Sequence, residues 1–189
     1  MKKLLSFIIM CGLLAFAAQS FALSINPGDP DYTPYIASGV ENDNPGVLAA
    51  IASIVGTGDP LYKMNVGGTE EGILAGSYDT TFNNAPDDPS EALIQYMGGS
   101  IVGGDQYLLV KDGNINAHPG LPSWYLFDLT SLGWDGMEDL ALTGFWPNGG
   151  AISYVALYGT SAPVPEPGTL LLLGSGITGL ALFRKRMKS

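Results

Sequence analysis

The chain has 189 residues, with eight Lys and Arg against 18 Asp and Glu for a formal net charge of −10 at pH 7, and a single Cys. That length suits one domain, and one cysteine excludes an internal disulfide framework and any Cys-rich zinc site. The acidic excess excludes nucleic acid and anionic lipid as partners, because both are bound through Lys and Arg that displace counterions.

In chain order, Lys2 and Lys3 precede an apolar run from Leu4 to Ala18, and Ser20-Phe21-Ala22 then places small residues at −3 and −1 of a cut. This is the pattern of a secretory signal peptide over residues 1–22, removed by signal peptidase after Ala22. Cys11 lies inside the run behind Ile9 and Met10, where a lipoprotein box would need a small residue, so lipidation is not expected. Cleavage would leave a mature chain without cysteine.

Residues 23–162 form the exported domain, with Lys63 and Lys111 against 17 acidic residues, a net charge of −15, and no Arg. A helix is expected from Pro45 to Val55, with Asn44 as its cap, Pro45 in its first turn, Gly56 at its end and an Ala-rich face toward the rest of the domain. Apolar and aromatic runs separated by Gly, Pro, Asn and Asp then predict strands at 61–66, 72–82, 92–97, 106–110, 123–129, 140–145 and 151–158. The fold class is therefore all-β: a single β-sandwich or jelly-roll-like domain with one short helix.

Within it, two readings of the tryptophans stand open. Trp134 and Trp146 sit beside turns and are expected to be exposed, which makes them candidate glycan contacts. In Trp124–Leu129, alternation places Tyr125, Phe127 and Leu129 on one face, expected to be buried. The other reading is that the rings serve core packing.

Asp112-Gly113-Asn114-Ile115-Asn116 has the alternating oxygen ligands that open a calcium loop. Ala117 stands where an EF-hand needs Gly, and Ser123 where it needs a bidentate acid, so an EF-hand is rejected. A looser calcium site using Asp112, Asn114 and Asp135 is the alternative to plain solvated turns, with Asp87, Asp88, Asp128, Glu138 and Asp139 as further oxygen ligands. No cofactor is assigned, with calcium as the candidate that the acidic, thiol-free domain could take. His118, the single histidine, precedes Pro119 in a Gly/Pro loop without the partners a zinc site or a triad requires. Adjacent acids such as Asp87 with Asp88, or Glu138 with Asp139, do not converge on a strand, and no catalytic residue is assigned.

The C-terminus reads Val164-Pro165-Glu166-Pro167-Gly168, an apolar segment over 169–183, and the basic cluster Arg184, Lys185, Arg186 and Lys188. About 15 apolar residues reach roughly 22 Å as a helix, short of a hydrocarbon core of about 30 Å, so flanking residues or local thinning must complete the span. Basic residues at both ends keep both termini cytoplasmic and put residues 23–162 across the membrane. The prolines hold their segment extended and keep it out of the following helix. Gly174-Ser175-Gly176-Ile177-Thr178-Gly179 spells a dinucleotide fingerprint, but only ten residues follow it; the glycines suit close helix packing in a membrane instead.

Residues 163–189 resemble the PEP-CTERM sorting signal, a motif also labelled an ice-binding-protein C-terminal domain, which names the tail and not an activity. The resemblance implies that an exosortase, a membrane-embedded cysteine protease or transpeptidase, recognises Pro165, Glu166 and Pro167 and processes the chain there. The stretch from Lys111 to Gly159 is similar to the last strands of many PEP-CTERM ectodomains. The resemblance implies an exported, non-catalytic envelope or matrix protein associated with extracellular polysaccharide. It would pass the inner membrane of a Gram-negative-type bacterium and end in the periplasm, on the outer surface or in the matrix. The alternative is a carbohydrate-binding module, stabilised or not by calcium.

Overall fold

The computed structural model describes residues 22–28, 34–41, 43–83, 85, 87–113, 120–146 and 151–164, and the helical positions Gly174, Gly176, Ile177 and Arg184. Outside them lie residues 1–21 of the expected signal peptide, Pro165, Glu166, Pro167, most of the expected membrane helix, Lys185, Arg186 and Lys188, and also Asn114 and His118. Among the described residues no helix is long and apolar enough to cross a membrane.

Over the described residues of 22–164, ten strands and a helix follow in the order β1 Leu23–Ile25, β2 Tyr35–Gly39, α1 Asn44–Val55, β3 Tyr62–Asn65, β4 Glu70–Glu71, β5 Tyr78–Phe82, β6 Ala92–Tyr96, β7 Ile101–Asp112, β8 Trp124–Asp128, β9 Leu140–Leu142 and β10 Ile152–Ala162. They make a four-stranded sheet, β1-β9-β6-β5, and a six-stranded sheet, β2-β8-β7-β10-β3-β4. The pairs are antiparallel except for β1 with β9.

Both sheets turn apolar side chains into one cluster. Ile25, Ile94 and Leu140 of the smaller sheet share it with Leu108, Phe127 and Val155 of the larger. The opposite face of the larger sheet is covered by α1, whose Val47 and Ile51 lie one helical turn apart and pack with Leu109, Trp124, Leu126 and Tyr154. The central strands of the larger sheet are thus buried on both faces, and β8 reads as a continuous apolar run rather than an alternating one.

Several expectations are corrected. The cap residue of α1 is Asp43, not Asn44, and the buried stripe is Val47 and Ile51 rather than the alanines; Gly56, with φ 82, ends the helix by donating its N–H to Ala52 O. The strand expected over 72–82 is restricted to Tyr78–Phe82, because Gly72 and Gly76 adopt φ 99 and φ 81 and turn the chain. Conversely, β7 continues back through Gly103-Gly104 to Ile101, and β10 runs on through an irregularity at Gly159 to Ala162, where Pro163 offers no N–H to pair.

Candidate functional site

Both ends of the folded domain abut the expected processing points. Ala22 is exposed and β1 starts at the next residue, Leu23, whose N–H donates to Asp139 O at 2.7 Å. At the other end Ala162 pairs with Ile101 and is followed by exposed Pro163 and half-buried Val164, the last residues described before Pro165. Neither end carries a spacer between core strand and signal.

The two candidate glycan contacts are not exposed, and this corrects the sequence expectation. Trp134 and Trp146 are 4% and 2% accessible and belong to the core cluster. The Trp134 indole donates to Glu138 O at 2.6 Å and its ring lies 6.1 Å from that of Tyr78. Trp146 takes φ 44, a conformation that turns its side chain inward, where the indole donates to Pro122 O at 2.8 Å and the ring sits 5.5 Å from Tyr125. Satisfied N–H groups and packed faces leave neither ring a surface on which a pyranose could stack. Trp124 is buried under α1 instead, its indole donating to Glu41 Oε2 at 2.8 Å; that bond holds the Glu41 carboxyl below the usual carboxylate range.

The acidic candidates do not converge. Asp112 is buried at the end of β7, whereas Asp135 is exposed and accepts the N–H groups of Met137 and Glu138 in its own turn. Asp128 caps the next turn through Ser131, and Asp139 accepts from Gln95 and the Tyr96 N–H. Among the described residues no three His, Cys, Asp or Glu side chains gather closely enough to hold a metal ion. Lys111, one of the domain's two cations, is buried and donates from Nζ to Asp112 O at 2.7 Å; burial pulls its pKa down, against the opposing charge of Asp112.

Sequence reasoning did not point to a small cavity of about 150 Å³ between α1 and the larger sheet, lined by Leu48, Asp59, Lys63, Glu71, Tyr154 and Tyr158 among others. Lys63 lies 3.6 Å from Glu71 and 4.8 Å from the centre of the Tyr154 ring. The Tyr158 hydroxyl is buried with no hydrogen-bond partner among the described residues, and burial, with Tyr154 and Asp59 nearby, pushes its pKa up. No periodicity marks such a place, because Asp59 and Lys63 come from a loop and a strand far in sequence from Tyr154 and Tyr158.

Comparison with known protein families matches residues 163–186 to the PEP-CTERM protein-sorting motif. No curated protein and no solved structure matches the chain. The chain thus carries a PEP-CTERM sorting signal that starts one residue after β10 ends, and the motif implies export across a membrane in a Gram-negative-type bacterium and exosortase-dependent sorting.

Proposed function

We propose that the chain is a non-catalytic protein of the cell envelope or extracellular matrix, released from its signal peptide after Ala22, sorted by exosortase, and held among extracellular polysaccharide. The observation that carries this reading is the sorting motif at residues 163–186, joined directly to a folded β domain. With a net charge of −15 and no Arg over residues 23–162, the domain is suited to remain soluble beside other polyanions rather than to adhere to nucleic acid or anionic lipid. The buried state of Trp134 and Trp146 directs the association away from an aromatic platform. In this reading the tail delivers the protein and the domain occupies the matrix.

The test is intact mass and cell fractionation in strains with and without exosortase, alongside Glu166→Ala. Loss of the tail only where both enzyme and Glu166 are present, with co-purification of the mature domain and matrix polysaccharide, is the expected result. Retention of residues 184–189 in every strain would reduce the tail to a plain anchor. Free release of the processed domain into the medium would remove the polysaccharide association.

A further inference from the structure

Strand β10 is built in two unequal parts. Its first part is buried for most of its length and pairs with β7, and over Tyr154–Leu157 also with β3. Beyond Gly159 the pairing is one-sided: Thr160, Ser161 and Ala162 face Gly103, Val102 and Ile101 of β7, and Thr160 and Ser161 are exposed. Gly103 and Gly104 make room for its Ala162 and Thr160 side chains. A Cβ added at Gly103 would stand 2.8 Å from the Ala162 Cβ, and one at Gly104 would stand 2.8 Å from Thr160 Oγ1. Backbone pairing with β7 alone holds the strip, and its Thr160 and Ser161 stay exposed.

Only Pro163 and Val164 separate this strip from Pro165-Glu166-Pro167, a reach of at most about 7 Å at 3.3–3.6 Å per residue. A peptide gripped as an added strand is held by its main-chain hydrogen bonds, which backbone already paired in a sheet is not free to make. The four residues before Pro165 are Ser161 to Val164, and two of these are committed to the sheet. A folded domain and an extended, fully gripped substrate are incompatible unless the strip lets go.

We propose that Thr160–Val164 forms part of the segment the exosortase binds, and that Thr160–Ala162 leaves β7 by turning at Gly159 while the rest of the domain stays folded. Gly159 is fitted for this: it has φ 151, and its neighbours leave no room for a Cβ, which would stand 2.7 Å from Gly103 O. The break in register falls there, between Tyr158 and Thr160, so the strip is already a separate unit of pairing. The inference rests on exosortase-dependent sorting.

The test locks the strip in place. Ala162 and Ile101 are direct partners in an antiparallel pair, whose Cα spacing of about 4.5–5.5 Å falls within disulfide range. The full chain carrying Ile101→Cys and Ala162→Cys is followed by intact mass in exosortase-containing cells that form periplasmic disulfides and in cells that do not. Unprocessed precursor is expected to rise by about tenfold or more in the oxidising cells, because the lock blocks local opening. A Gly-Ser-Gly-Ser insertion between Ala162 and Pro163 should restore processing without breaking the lock. Equal processing of the oxidised and reduced forms overturns the inference; a native chain that keeps its tail with exosortase present overturns the sorting reading instead. Should the double variant fail to fold, hydrogen exchange on the native full chain decides: the amides of Thr160–Ala162 should exchange about 100-fold faster than those of Val155–Leu157, and equal protection sinks the proposal.

Discussion

The Tyr78 hydroxyl accepts the Val102 N–H at 2.9 Å and donates to Gly136 O at 2.8 Å, so one phenol joins β5 of the smaller sheet, β7 of the larger and the turn before β9. Tyr78 is 1% accessible and its ring packs beside those of Tyr62, Tyr96 and Trp134. Tyr78→Phe keeps the ring and leaves a buried N–H and a carbonyl without their partner, at about 1–3 kcal/mol for each stranded group. Denaturant unfolding of residues 23–162 should show a lower midpoint with an unchanged slope; a loss below about 0.5 kcal/mol, the low end of the net value of one hydrogen bond, would mean that water replaces the phenol.

Tyr158 predicts the opposite sign from the same substitution. Its hydroxyl is buried without a partner among the described residues, so Tyr158→Phe removes a desolvated polar group and breaks no hydrogen bond seen there. The midpoint should stay level or rise, with a gain in stability of up to about 1 kcal/mol. A clear fall would show that the hydroxyl has a bound water or another partner in solution.

Alkaline pH should unfold the domain through its buried phenols. Burial pushes the pKa values of Tyr62, Tyr78 and Tyr154 up to about 12 from 10.0. Above pH 10 the unfolded chain releases protons that the folded chain still holds, so the unfolded state binds fewer protons and stability falls as pH rises. The full contribution is present below pH 10 and is lost towards pH 12, with a slope approaching about 1.4 kcal/mol per pH unit for each phenol. Tyrosinate absorbance followed beside circular dichroism should show these three phenols ionising together with loss of structure, not before it.

The parts of this architecture that were legible in the sequence are those written in local patterns. Pro45 and Gly56 bracket α1, the runs at 92–97 and 123–129 mark β6 and β8, and Pro165-Glu166-Pro167 marks the sorting signal. Strands β1 and β2 were not legible, since each is short and held by a partner far along the chain: Leu23 by Leu140, and Gly39 by Trp124. The expected exposure of Trp134 and Trp146 failed for a different reason, and the core-packing reading of the rings is the one their burial matches. A residue beside a turn is usually exposed, but Trp146 is buried at a positive φ that favours glycine, and nothing in the sequence announces that.

Trp134→Ala and Trp146→Ala should therefore act on folding and not on a ligand. Each removes a buried ring from the core cluster, for a loss of about 3–5 kcal/mol. Melting measured beside polysaccharide co-sedimentation separates the two roles: the expected result is a lower midpoint, with co-sedimentation unchanged at temperatures where the variant remains folded. Abolished binding by a variant of native stability would return these rings to a recognition surface.

Gly159→Ala tests the seam in β10 from the stability side. The residue combines φ 151 with a backbone approach in which a Cβ would meet Gly103 O and Val102 Cγ1 at 2.7 Å. Strain of about 1–3 kcal/mol is expected from the conformation alone, and the contact adds to it. The cost falls first on the one-sided pairing of Thr160–Ala162 with β7, because that strip can move away while Tyr154–Leu157 stays held on both sides. Hydrogen exchange should accordingly show protection lost at Thr160–Ala162 and largely kept at Val155–Leu157. Uniform loss across β10 would mean that the strand opens as a single unit.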